Sequence, residues 1–174
     1  MNACKAIELA LKDTLAQYAA VGEGVWIWGT QSATKDDNPS ERIAAGRAFP
    51  MIRLTATPEG ASDNAWTFEQ PVEIAIATLA PDDPFCVTRG SIYEAVRGVI
   101  SPLYFQALDR DITPHAELTY FLTQFSVYLG GGTINLGGIR LTGNPPPGND
   151  GEVQTMSVNM VFDWSQPVTQ PAAP

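Results

Sequence analysis

Between Gln154 and Trp164 the chain alternates without a break. Gln154, Met156, Val158, Met160, Phe162 and Trp164 fall on one side of an extended backbone, and Thr155, Ser157, Asn159 and Asp163 fall on the other. Side chains along a strand point to opposite faces with period two, so this pattern specifies a sheet strand with one buried face. The rest of the chain must supply neighbouring strands and a cover for that face.

Two amphipathic helices are available as the cover. Over residues 3–20, Ile7, Ala10, Leu11, Thr14, Leu15 and Tyr18 recur at spacings of three and four. Lys5, Glu8, Lys12, Asp13 and Gln17 take the other side, and Gly22 and Gly24 stop the helix. From Val87 to Ile100 a second stripe is formed by Ile92, Ala95, Val96, Val99 and Ile100, and Ser101-Pro102 closes it.

The remaining apolar segments read as strands. Val25 to Trp28 places Trp26 and Trp28 on one face. A polar excursion over 29–46 follows, in which Asn38-Pro39 reads as a cap and first helical position and Gly46 as a stop. Arg47 to Thr57 is extended, with Pro50 marking a sheet edge or a strand start. Pro58 to Asn64 reads as a hairpin connection into Trp66 to Leu79, whose two apolar faces make it central. Residues 103–116 read as irregular, and Glu117 to Leu129 as a strand with Phe121, Phe125, Val127 and Leu129 on one face. Gly130-Gly131-Gly132 bends the chain into a weak strand, Thr133 to Leu141, in which Gly137-Gly138 permits a bulge.

This order predicts an α+β fold: a mostly antiparallel sheet with two amphipathic helices packed on one face and long loops, none of its hairpins needing a parallel crossover. Residues 1–165 form a single domain, and a chain of 174 residues buries about 70% of its unfolded surface. Residues 166–174, with three prolines, form a mobile or extended tail.

Ten Lys and Arg stand against 19 Asp and Glu, for a net charge of −9. That balance argues against specific nucleic-acid binding, which needs clustered cations for phosphate. No apolar run approaches the roughly 18 residues of a membrane span, so no membrane partner is expected. Cys4 and Cys86 read as free reduced thiols. Only three residues precede Cys4, too few for a signal peptide before a lipid-anchored cysteine.

Catalytic, cofactor and metal sites are all expected to be absent. His115 is the one histidine, no ligand pair has metal spacing, and the glycine runs lack the Lys-Ser/Thr of a phosphate loop. Asp82 and Asp83 precede a helix, where carboxylates cap free N–H groups. What the chain does carry is loops on a rigid sheet, where partner contacts concentrate. The candidate contacts are Trp26, Trp28, Asp36, Asp37 and Glu41 in and before the excursion, and Asn144 and Pro146 in the Pro/Gly loop 143–151.

The run of elements itself points to a family. A helix over Ala3 to Ala20 and a strand with a long excursion come first, then a hairpin entered by Phe49-Pro50-Met51-Ile52 and left by Glu73-Ile74-Ala75-Ile76. A helix over Val87 to Ile100 and closing strands ending in Met160-Val161-Phe162 complete it. Over about residues 3–165 this resembles the tail-terminator and tail-completion proteins of long-tailed bacteriophages.

The resemblance implies a homo-oligomeric ring, usually a hexamer, made in the host cytoplasm and built into the virion. Such a ring caps the tail-tube protein and meets the head-tail connector or neck protein, with no cofactor and no turnover. A lumen that passes DNA should repel phosphate, which the net charge suits. The loop 143–151 and the Pro-rich tail have no counterpart in the family pattern. The alternatives are another phage neck or baseplate subunit, a monomeric module binding ligand at a Trp26/Trp28 face, and a weak hydrolase using Asp82, Asp83 or His115.

Overall fold

The computed structural model describes residues 2–58, 60–61, 67–108, 115–143 and 148–166. The chain forms helix α1 (Ala3–Tyr18), strand β1 (Trp26–Gly29), a single 3-10 turn (Lys35–Asp37) and a short helix α2 (Pro39–Ala44). Strands β2 (Met51–Ala56), β3 (Gly60–Ala61) and β4 (Thr67–Leu79) follow, then helices α3 (Val87–Leu108) and α4 (Ala116–Tyr128). Strands β5 (Asn135–Gly143), β6 (Gly148–Asp150) and β7 (Val153–Ser165) complete an α+β fold.

The sheet runs β1-β2-β4-β7-β5, with β3 added beside β4 and β6 beside β7. Its centre is the pair of long strands β4 and β7, which lie antiparallel from Thr67 opposite Ser165 to Leu79 opposite Val153. Because side chains alternate, this register puts Val72, Ile74 and Ile76 on the same face as Met156, Val158 and Met160. Ile52 and Leu54 of β2 and Ile139 of β5 continue that face, and all three are buried.

Helices α1, α3 and α4 cover it. Asn2 starts α1 by accepting the Lys5 N–H at 2.8 Å, and Ile7, Leu11 and Leu15 pack down without exposure. Phe121 and Phe125 of α4 meet the strand aromatics, with ring centroids 5.3 Å apart for Phe121–Phe162 and 5.1 Å for Phe125–Trp164. Buried aromatic pairs of this kind carry much of a core's stabilisation.

Several expectations are corrected. Glu117 to Leu129 is helix rather than strand. Its Thr, Tyr, Phe and Val favour strands as residue types, yet Leu118, Phe121 and Phe125 recur at three and four and form the buried stripe. Three long helices, not two, therefore cover the sheet. The helix over Val87 does not close at Ser101-Pro102 but continues to Leu108. A proline forfeits one backbone hydrogen bond, which a long packed helix tolerates.

β1 and β2 are parallel, with Trp26 opposite Met51 and Gly29 opposite Leu54, so a crossover does exist. Parallel neighbours need a connection of about a dozen residues or more, and the polar excursion is that connection. β2 is accordingly an inner strand that begins just after Pro50. Within the excursion, Asn38 caps α2 through the Ser40 N–H, and Gly46 follows it at φ +64°. β5 shifts register at Leu136/Gly138 and Leu141/Gly143, the bulging expected of its glycines.

The Tyr128 hydroxyl at the end of α4 donates to Asp13 Oδ2 of α1 at 2.6 Å. That bond, then burial, then the charge of Asp13 push the phenol up to about 12. A group raised in the folded state adds stability below its ordinary value of 10.0 and loses it as pH climbs toward 12. Tyr128→Phe should lower the urea-derived unfolding free energy by about 1 kcal/mol at pH 7. It should also flatten the wild-type fall in stability above pH ~10.

Candidate assembly surface

The crossover is anchored from below by one buried carboxylate. Glu8 of α1 has no exposed surface. Its Oε2 accepts the backbone N–H of Gln31 at 2.8 Å and of Ser32 at 2.9 Å, and its Oε1 accepts the Ala56 N–H at 2.9 Å and the Thr30 hydroxyl at 3.1 Å. Four donors from the crossover and from β2 thus converge on one side chain. Gly29 makes the approach possible, because a Cβ there would collide with Ser32 Oγ and Glu8 Oε2 and lie 2.9 Å from Glu8 Cβ. The expected placement of Glu8 on the polar side of α1 is corrected: it lies in the buried stripe, one turn from Leu11.

A second carboxylate fixes the far half of the crossover. Asp37, itself buried, accepts Trp26 Nε1–H at 3.2 Å and the Thr34 hydroxyl at 3.0 Å, and pairs with Lys12 of α1 at 3.7 Å. Burial works to raise its carboxyl, but the bonds from Trp26 and Thr34 and the charge of Lys12 prevail and hold it below 3.8.

Trp26 and Trp28 stack with centroids 5.0 Å apart, and the Arg42 guanidinium lies 4.7 Å from the Trp26 ring. Trp26, Ala48, Met51 and Ala77 form a small second core, packed with Trp28, Phe49 and Val153. The excursion caps this second core through Asp37 and Arg42 on Trp26.

The candidate contact residues are therefore partly gathered and partly reassigned. Trp26 is 6% exposed and is a packing residue. Asp37 is a buried anchor, whereas Asp36 and Glu41 are exposed and line a polar concavity of about 290 Å³ with Lys35, Arg42 and Arg47. Asn144 and Pro146 lie outside the described residues, as does the tail from 167. The cations of this corner were missed in the sequence, although three of ten Lys and Arg fall within residues 35–47.

The sheet face opposite the helices is polar. Arg53, Thr55 and Glu73 lie there with Asn159, Asp163 and Arg140, each one residue out of phase with the buried set. Arg140 pairs with Glu69 at 3.1 Å and with Asp163 at 3.3 Å, and Arg53 with Glu73 at 3.7 Å. Exposed pairs of this kind add little stability. Three carboxylates against two arginines leave the face slightly acidic. A shallow concavity of about 390 Å³, lined in part by Thr55, Thr57, Glu73, Thr142 and Asn159, opens on it. Among the described residues no long helix packs on this face, and the crossover, with the short α2, covers only its Trp26–Met51 end.

Among the described residues, Asp82, Asp83 and His115 do not come together in one site. Asp83 caps α3, accepting the Thr88 N–H at 3.0 Å, the Arg89 N–H at 2.9 Å and the Thr78 hydroxyl at 3.2 Å. Burial works to raise its carboxyl, and these bonds with the Arg89 charge hold it below 3.8. Its exposed neighbour Asp82 makes no such bonds, so the capping role falls to Asp83. His115 is exposed at the cap position of α4. Among the described residues no His, Cys, Asp and Glu cluster has the geometry for a metal ion, and no helix is long and apolar enough to cross a membrane.

Compared with known proteins, the chain matches no protein-family model and no curated sequence.

Glu8→Gln keeps the shape but turns an amide N–H₂ toward donors, and should lower stability by about 3 kcal/mol in urea titrations. Gly29→Ala should destabilise comparably. Asp37 and Asp83 are both depressed, so they add stability that is present above 3.8 and lost as pH falls through their folded values. Calorimetry from pH 6 to pH 2 should show a fall beginning near pH 4. It should be shallower in Asp37→Asn and Asp83→Asn.

Proposed function

We propose that this chain is a structural assembly protein, a ring-forming tail terminator that caps a phage tail tube and joins it to the head-proximal neck. The observation that carries the reading is the one-sidedness of the sheet. Among the described residues all long helices lie on one face, and the other is a broad, polar, slightly acidic surface that the crossover and its short α2 cover only at the Trp26 end. In a closed ring such a face suits a lumen wall that DNA passes without being held, since it offers carboxylates and internally paired arginines rather than free cations.

The rigidly anchored crossover supports the same reading, because a contact element held in place loses little freedom on binding. A ligand-binding module built on Trp26 and Trp28 is less well supported, since the Trp26 ring is buried and its indole N–H is already bonded.

Light scattering after size exclusion tests the proposal. The expected result is a species near six times 18.7 kDa, rising with protein concentration. A mass that stays at one protomer across concentration, with and without a candidate tail-tube protein, would sink it.

A further inference from the structure

We propose that Cys86 is a reactive thiol, set beside the Arg89 guanidinium to attack a peroxide and carry the resulting sulfenate. The proposal goes beyond the assembly reading and does not depend on it.

Arg89, in the first turn of α3, is 5% exposed. A guanidinium keeps its proton in proteins, so burying one is costly unless an anion or several acceptors replace its water. Here the acceptors are few. Nη1 donates to Gln154 Oε1 of β7 at 3.2 Å, Nη2 donates to Cys86 Sγ at 2.7 Å, and the buried Nε meets no acceptor. Among the described residues the ion pairs are made by Lys12, Arg53, Arg97 and Arg140, none of them involving Arg89. Asp83 feels the Arg89 charge, but its oxygens are taken by the Thr88 and Arg89 N–H groups and the Thr78 hydroxyl.

The sulfur is therefore the group best placed to give the guanidinium a negative counterpart. As a thiol it can donate to Gln154 Oε1, but that contact, at 3.6 Å, is far longer than the one in which sulfur accepts. Cys86 also directly precedes α3, whose N-terminus carries partial positive charge. A cation and a helix N-terminus beside a sulfur are the surroundings in which thiols become nucleophilic. The Cys86 backbone sits at φ +58°, a region disfavoured for a residue with a Cβ, so the fold rather than local preference sets where the sulfur points.

Reagents can reach this thiol. Cys86 is partly exposed, and Phe85 and Val87 on either side of it are 87% and 69% exposed. Cys4, by contrast, is buried in the main core.

Starting from the thiolate and hydrogen peroxide, the sulfur attacks one oxygen, and the S–O bond forms as the O–O bond breaks. Sulfur gives up two electrons and the peroxide takes them. The departing hydroxide removes the proton of the transferred hydroxyl, which leaves sulfenate and water. Arg89 then faces the sulfenate and offsets its charge.

Peptide mapping of the intact native protein by mass spectrometry tests the proposal. Iodoacetamide serves as the thiol probe, and hydrogen peroxide with dimedone as the sulfenate trap. Burial alone slows a thiol, so the urea-unfolded chain is the reference, each rate being normalised to glutathione in the same solvent. At about pH 6.5, native Cys86 should alkylate at least about tenfold faster than Cys86 of the unfolded chain, while native Cys4 alkylates more slowly than unfolded Cys4. The dimedone adduct should form on Cys86 and not on Cys4. Arg89→Gln should lower the Cys86 rate about tenfold and Arg89→Lys should retain most of it, with folding checked by circular dichroism and urea midpoint. If Arg89→Gln does not fold, the comparison of native with unfolded wild type decides alone.

Native Cys86 reacting no faster than the unfolded chain would overturn the proposal, and so would an unchanged rate in folded Arg89→Gln. Fast alkylation with no dimedone-trapped sulfenate would overturn the peroxide reaction.

Discussion

A carboxylate with no exposed surface, Glu8, receives hydrogen bonds from Thr30, Gln31, Ser32 and Ala56, and the arrangement of the rest follows from it. Burying an ionised carboxyl costs several kcal/mol unless donors replace its water. Here three of the four donors are backbone N–H groups, of Gln31, Ser32 and Ala56, that would otherwise be left unpaired, and the fourth is the Thr30 hydroxyl. The bonds satisfy both parties and join three elements that are distant in sequence: α1, the start of the crossover and the end of β2. With Gly29 admitting the side chain, β1 can lie parallel to β2, and the connection between them becomes a fixed layer.

That layer divides the labour of the two sheet faces. On one face, aromatic and aliphatic side chains of β4, β7 and α4 make a continuous core that sets the register of the long strands. A one-residue slip would turn Val158, Met160, Phe162 and Trp164 outward. On the other face only the Trp26–Met51 end is covered, where Asp37 and Arg42 of the crossover hold the stacked indoles of β1. Beside the cover lies a mixed-charge corner of Lys35, Asp36, Glu41, Arg42 and Arg47.

Much of this was legible before any coordinates. The alternation over β7, the stripe of α1, the central character of β4, the cap at Asn38 and the bulging of β5 are local patterns with local causes, and they hold. Where local pattern and residue preference disagreed, the preference misled. α4 is rich in strand-favouring residues, yet its spacing of three and four decides its structure. Pro102 looked like an end because a proline disfavours a helix, but it does so by an amount that packing along α3 outweighs.

The candidate site was legible only in part because its logic is long-range. Glu8 sits on α1 among charged neighbours, and nothing within one turn distinguishes it from Lys12 or Asp13. Its role depends on backbone donors more than twenty residues away. The parallel pairing of β1 and β2 is hidden for the same reason. The excursion drew attention through its carboxylates, whereas the structure directs Asp37 inward and leaves Lys35 and Arg47 on the outside.

The central claim is that the crossover is a fixed surface built on Glu8 rather than a polar loop. Residue-resolved amide hydrogen exchange on the intact protein tests it most directly. The account predicts that the Gln31, Ser32 and Ala56 amides exchange as slowly as the interior of β4, because freeing them requires unfolding the elements that Glu8 joins. Exchange of Gln31 and Ser32 at rates typical of an open loop, with β4 still protected, would contradict it.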